Sequence, residues 1–263
     1  MSDTQPSAMD EGTKQPAEIE NKKDPALYFK YRPCNEFAVQ MVKDGTLWFT
    51  RLTKLNDPFE GDFAFTDDAV NKMEVPKSGS AFEYKCGLLA QYRHSVKAQY
   101  YIFSVSFSGW GEIVMWSHYS MHHSGVAIGF EIPSQQDKLT DDSSVTLVTE
   151  DKKTILNKVK YQPDGVLLDI EGADDTLHDE ICRIKSLQWK YENEHRLIIR
   201  NSTIRKDGYA LKAKKELVKQ VFFGARTPAE EIDKFILSVG RSDVEYYRLL
   251  LKNGHFKLTK VPI

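Results

Sequence analysis

The sequence predicts an α+β fold with a mixed, mostly antiparallel sheet and flanking helices. Three observations carry this expectation. Tyr100–Ser108 (YYIFSVSFS) alternates and is rich in aromatic and β-branched residues. Thr227–Gly240 sets Ile232, Phe235, Ile236 and Val239 on one helical face, with Pro228 near the first turn. Strand and helix segments also follow one another without regular βαβ alternation.

Residues 1–26 are polar, hold three prolines and lack aromatics, so they read as a disordered tail before one α+β domain over 27–263. Leu27–Tyr31 reads as a first strand. Asn35–Lys43 reads as a helix capped by Asn35 and stopped by Gly45. Leu47–Thr50 reads as a strand, Leu55–Gly61 as a turn, and 80–99 as a helix. Met115–His123 reads as a short helix and Gly125–Ile132 as a strand buried on both faces. A polar loop is expected over 134–153, a short strand at Val159–Tyr161 and a helix at Asp174–Lys185. Trp189–Arg200 and Leu217–Gly224 read as strands, and Val244–Val261 as a helix followed by a strand.

Composition narrows the function. The 263 residues are 41% hydrophobic and 28% charged, with a net charge of −2. No global basic field would draw the chain to nucleic acid or anionic lipid. Three cysteines (Cys34, Cys86 and Cys182) form no C-x-x-C pair, which fits a reducing cytoplasm. No apolar run approaches the roughly 20 residues of a membrane helix.

Three features could carry chemistry. Arg32 follows an aromatic strand and precedes Pro33; it would either fork onto a phosphate or pair with Asp57 or Glu60. Ser104, Ser106 and Ser108 share one side of a strand, as a ligand-facing or a solvent-facing hydroxyl row. Glu192 and Glu194 would point to one side of a strand, about 7 Å apart. They would form either a working acidic pair or an exposed edge neutralised by Arg196. Trp116, His118 and Tyr119 on one short helix could line a cleft, with His118 as acid or base. His118 and His122 have i, i+4 spacing, but no H-E-x-x-H glutamate accompanies them, and no metal is expected.

Several segments together resemble the prokaryotic domain-of-unknown-function family 2971. They are YFKYRP (28–33), LWFTRLTKLNDPFEG (47–61), SVSFS (104–108), MWSHYSMHHSGVAIGFE (115–131), WKYENEHRLI (189–198) and VFFG (221–224). The resemblance implies a bacterial intracellular protein of a kind met near phage-defence genes, with no settled reaction. The order arginine, serine-rich strand, Glu-x-Glu also resembles the pattern of ADP-ribosyltransferases. That likeness implies a split β-sandwich and an NAD cleft. In it, Arg32 would hold the NAD phosphates, and a serine of the row, Ser106 foremost, would support the active-site strand. Glu194 would be the principal carboxylate and Glu192 would assist the acceptor, while Tyr31, Phe107 or Tyr119 could stack on nicotinamide. The acceptor would be a nucleic acid or a protein. The alternatives left open are a nuclease-type hydrolase using His118 and a non-catalytic sensor or interaction module.

Overall fold

The computed structural model describes residues 27–74, 80–132, 145–148, 153–169, 175–203 and 206–263. The tail expected over 1–26 lies outside them, as does most of the loop expected over 134–153.

β1 (Leu27–Arg32) alternates buried and half-buried residues. α1 (Glu36–Asp44) starts where the Asn35 side chain accepts from the Ala38 N–H, and ends on Gly45 at φ 75°. β2 (Thr46–Arg51), β3 (Phe63–Phe65), α2 (Asp67–Lys72) and α3 (Ala81–Lys97) follow. β4 (Tyr100–Ser106), α4 (Ile113–Tyr119) and β5 (Val126–Glu131) form the centre. Next come β6 (Val145–Val148), β7 (Lys153–Lys158), β8 (Lys160–Gln162), β9 (Val166–Leu168), α5 (Asp175–Ile181) and β10 (Ile184–Ser186). β11 (Glu194–Arg200), β12 (Gly208–Lys212), β13 (Val218–Phe223), α6 (Ala229–Val239), β14 (Glu245–Leu251) and β15 (Leu258–Pro262) complete the chain.

The fold is α+β. Its main sheet runs β15-β14-β13-β5-β1-β4-β11-β7-β6, with β2 and β12 attached at β4. Pairing is mostly antiparallel; β13 and β14 are parallel, and the pairs β8–β10 and β3–β9 form two small parallel sheets apart from the main one. β4 divides the main sheet. One edge of β4 pairs with β11 along its whole length. It also meets β1 only at Phe29↔Ser106 and β2 only at Thr50↔Ile102 and Arg51↔Tyr101. Between those two contacts the Ser104 carbonyl accepts instead from the Lys30 ammonium at 2.8 Å. Residues of both branches share one core, with Leu47 and Phe49 of β2 clustered with Ile128, Val221 and Phe223, and with Met41 of α1 and Phe235 of α6.

Three expectations are corrected. The helix expected at Asp174–Lys185 ends at Ile181, and Ile184–Ser186 pairs with β8, which turns Lys185 into the interior. The strand expected from Trp189 begins only at Glu194. Leu187–Glu192 is a 3-10 turn, and Asn193 at φ 42° reverses the chain before β11. The helix expected after Val244 is the strand β14. α6 is the crossover that returns the chain parallel to β13, and pairing with that buried strand overrides local helical preference. Among the described residues, no helix is long and apolar enough to cross a membrane.

Gly224 closes the end of β13. A Cβ there would stand 2.1 Å from the His123 carbonyl oxygen and 3.1 Å from the Trp116 ring. Because backbone cannot yield cheaply, Gly224→Ala is expected to cost about 1–3 kcal/mol. A urea titration checks this: the midpoint should fall with the slope unchanged.

Candidate functional site

The register Phe29↔Ser106↔Glu194 puts these three residues on one face of the sheet. Ser104 and Arg196 are also paired and lie two residues along, so they share that face. A cavity of about 120 Å³ opens over it, where the ladder between β1 and β4 stops. Lys30, Tyr31, Ser104, Ser106, Tyr119, Glu192 and Glu194 line it, together with Glu60, Lys185 and Arg196.

Five charged side chains, each no more than 6% exposed, form one network. Arg196 donates from Nε to Glu194 Oε1 at 2.8 Å, and from Nη2 to Glu194 Oε2 at 2.9 Å and Glu60 Oε1 at 2.8 Å. Its Nη1 donates to the Cys182 carbonyl at 2.8 Å. Lys185 Nζ donates to Glu192 Oε2 at 2.6 Å and Glu194 Oε2 at 3.0 Å, and lies 3.0 Å from Glu60 Oε1. The Tyr119 hydroxyl donates to Glu192 Oε1. Such burial is tolerable because nearly every charge is met by hydrogen bonds as well as by an opposite charge.

The two carboxylates of the Glu-x-Glu pair are pushed apart in acidity. Burial, then the neighbouring Glu194 charge, raises Glu192 to about 7. Burial would raise Glu194 too, but the Arg196 guanidinium and the Lys185 ammonium overcome it and hold that carboxyl well below the usual range. Lys185 is drawn up by Glu194, Glu60 and Glu192 against the opposing effect of burial. Lys30 is lowered to about 8, by burial first and the charge of Arg32 second. Acid and base are separable in such a pair: one group stays ionised while the other titrates near neutrality.

The serines hold this geometry from the β4 wall. Ser106 Oγ donates to the Glu192 carbonyl at 2.6 Å and accepts from the Ser108 N–H at 3.1 Å. Ser108 Oγ donates to the Tyr191 carbonyl at 3.0 Å, and a Ser104 hydrogen bond helps keep Glu194 ionised. Ser106 and Ser108 thus pin the 3-10 turn that carries Glu192, although Ser108 lies beyond the end of β4. Glu192 and Glu194 therefore meet by way of a turn and Asn193, not along one strand.

Residues 115–197 match the model of a family described as "Protein of unknown function (DUF2971)". This stretch is similar to DUF2971. No curated protein and no solved structure matches the chain. The DUF2971-like stretch runs from α4 into β11, so it contains Tyr119, Lys185, Glu192, Glu194 and Arg196. Lys30, Glu60 and the serines reach the same cavity from outside it.

Not every residue singled out in the sequence is brought here. Arg32 shares with Lys30 the face of β1 opposite Phe29, but it is not at the gap beside β4 through which the Lys30 ammonium reaches the Ser104 carbonyl and the cavity. Its guanidinium lies over the Phe37 ring, and its buried Nε has no hydrogen-bond partner among the described residues. Lys30 supplies the β1 cation at the cavity instead. Tyr31 lines the cavity and donates its hydroxyl to the Gly109 carbonyl. His118 is exposed and does not line the cavity; its Nδ1 lies 2.9 Å from the Tyr191 hydroxyl. Among the described residues, no group of three or more His, Cys, Asp or Glu side chains could hold a metal. Glu60 serves Arg196 and Lys185, while Asp57 accepts from the Phe59 N–H within its turn. Lys185 escaped sequence reasoning because nothing in Asp174–Lys185 separates it from a solvated helical lysine.

Two outcomes follow from the network. Arg196→Met leaves Glu60 and Glu194 buried without their main cation, and should cost about 3–5 kcal/mol in urea unfolding. The second concerns pH. Glu192 is raised from its ordinary 4.5 to about 7, so the folded state holds an extra proton between those values. Stability therefore falls as pH rises through that window, whereas the contribution of Glu194 grows as pH rises towards 4.5. Unfolding midpoints measured across the window should be flatter in Glu192→Gln than in the parent.

Proposed function

We propose that the protein is a cytoplasmic NAD-dependent ADP-ribosyltransferase that modifies a nucleic acid or a protein, in the manner of a bacterial toxin or antiphage effector. The observation that carries this reading is the Glu-x-Glu pair on one cavity, with one carboxylate held ionised and the other titrating near 7. A β1 cation and a serine row accompany it in the expected chain order, with Lys30 in the position first given to Arg32.

In the reaction, the bond between ribose C1′ and the nicotinamide nitrogen breaks and its electron pair leaves with nicotinamide. The sugar becomes oxocarbenium-like, and the network's carboxylates stabilise that charge in a water-poor site. The acceptor's lone pair attacks C1′, and its proton passes to ionised Glu192. Tyr119 orients Glu192 through its hydrogen bond, while Ser106 fixes the backbone beneath it. At about 120 Å³ the cavity is too small for a whole dinucleotide, so only the reacting end of the donor would enter it.

A second reading, a non-catalytic sensor, draws on the close engagement of Glu194 by Arg196 and Lys185. Incubation with NAD separates the two. Transfer predicts nicotinamide release that rises with pH through about 7 and falls by roughly two to four orders of magnitude in Glu192→Gln. A folded protein that binds NAD and leaves it intact across RNA, DNA and protein acceptors would favour the sensor. Cleavage of RNA or DNA without NAD, lost in His118→Ala, would point instead to a hydrolase.

A further inference from the structure

A second cavity, of about 720 Å³, lies beside the first. The 55–62 loop stands between them: Leu55, Asn56 and Glu60 line the smaller space, and Phe59 and Asp62 the larger. Lys185 lines both. Walls of the larger cavity come from the two small parallel sheets, β3–β9 and β8–β10. Its volume is of the size that holds a nucleotide.

Its side chains match that ligand part by part. The Phe59 ring is 74% exposed, yet its backbone is fixed, because Asp57 accepts from the Phe59 N–H at 2.9 Å. A large aromatic ring presented on a rigid turn is a stacking surface for a base. Arg93 enters from α3, anchored by Nη1 on the Phe63 carbonyl at 3.3 Å, and forms no ion pair among the described residues. A guanidinium so placed can fork onto a phosphate. Asp62 and Asp164 are exposed carboxylates on the same cavity, and a carboxylate is a natural acceptor for ribose hydroxyls.

We infer that the larger cavity binds a nucleoside 5′-phosphate, with the base on Phe59, the phosphate on Arg93 and the ribose hydroxyls on Asp62 and Asp164. This deepens the transfer reading, on which it rests only for the donor's identity. The adenylyl half of NAD would occupy this cavity, with the nicotinamide end directed towards the smaller one.

Calorimetric titration of the full chain with AMP tests the assignment. AMP should bind and compete with ADP-ribose. Phe59→Ala and Arg93→Gln should each weaken AMP about tenfold or more, while Glu192→Gln should leave its affinity within about twofold. Phe59 is exposed, so its variant reports on binding even where Arg93→Gln disturbs the Phe63 contact. No AMP binding, binding unchanged in both variants, or inorganic phosphate competing as well as AMP would overturn the proposal. AMP binding without nicotinamide release would sink only the transfer chemistry. Nicotinamide release without AMP binding would sink only this site.

Discussion

The guanidinium of Arg196 is the constraint on which the rest of this architecture depends. It is fully buried, and its hydrogen bonds reach Glu60 in the loop after β2, Glu194 on its own strand and the Cys182 carbonyl at the end of α5. A permanent charge can stay there only if all three arrive together. Arg196 therefore fixes the position of a loop, a strand and a helix end at once. Lys185 repeats the device one step further out, tying Glu60, Glu192 and Glu194 to β10.

Electrostatic balance follows from this cross-linking. Three carboxylates face two cations in the network, and Lys30, lowered to about 8, brings a third to the cavity wall. Glu192 carries the excess. It sits on a turn and not on a strand, it has fewer cationic contacts than Glu194, and it is the carboxylate whose proton is exchangeable near neutral pH. Placing the titrating group on the least regular element lets it change charge without disturbing the Arg196 anchor.

Much of the scaffold was legible from residue patterns. Alternating aromatics marked β4, an unbroken apolar run marked β5, and Asn35 with Gly45 bracketed α1, because these signals are local. The failures have non-local causes. β14 reads as a helix until β13 offers its edge, and Ile184–Ser186 reads as the end of α5 until it pairs with β8. At the site, Glu192, Glu194, Ser106 and Tyr119 were visible as residue types in a suggestive order. Lys185 was not, since its importance lies wholly in carboxylates met through folding. Arg32 and Lys30 differ by two positions and share a side of β1. What distinguishes them is where the sheet divides along β4, which no residue pattern announces.

That division has a consequence for how the protein comes into being. Strand β4 takes neighbours from both the beginning of the chain and its final third, and the cavity draws on positions as far apart as Lys30 and Arg196. During synthesis the early half emerges with Glu60 still lacking its partners Lys185 and Arg196, and it remains hydrated until β10 and β11 have left the ribosome. Such long-range closure makes folding slow relative to a helical bundle of the same size. The cleft comes into existence as a late event of biosynthesis.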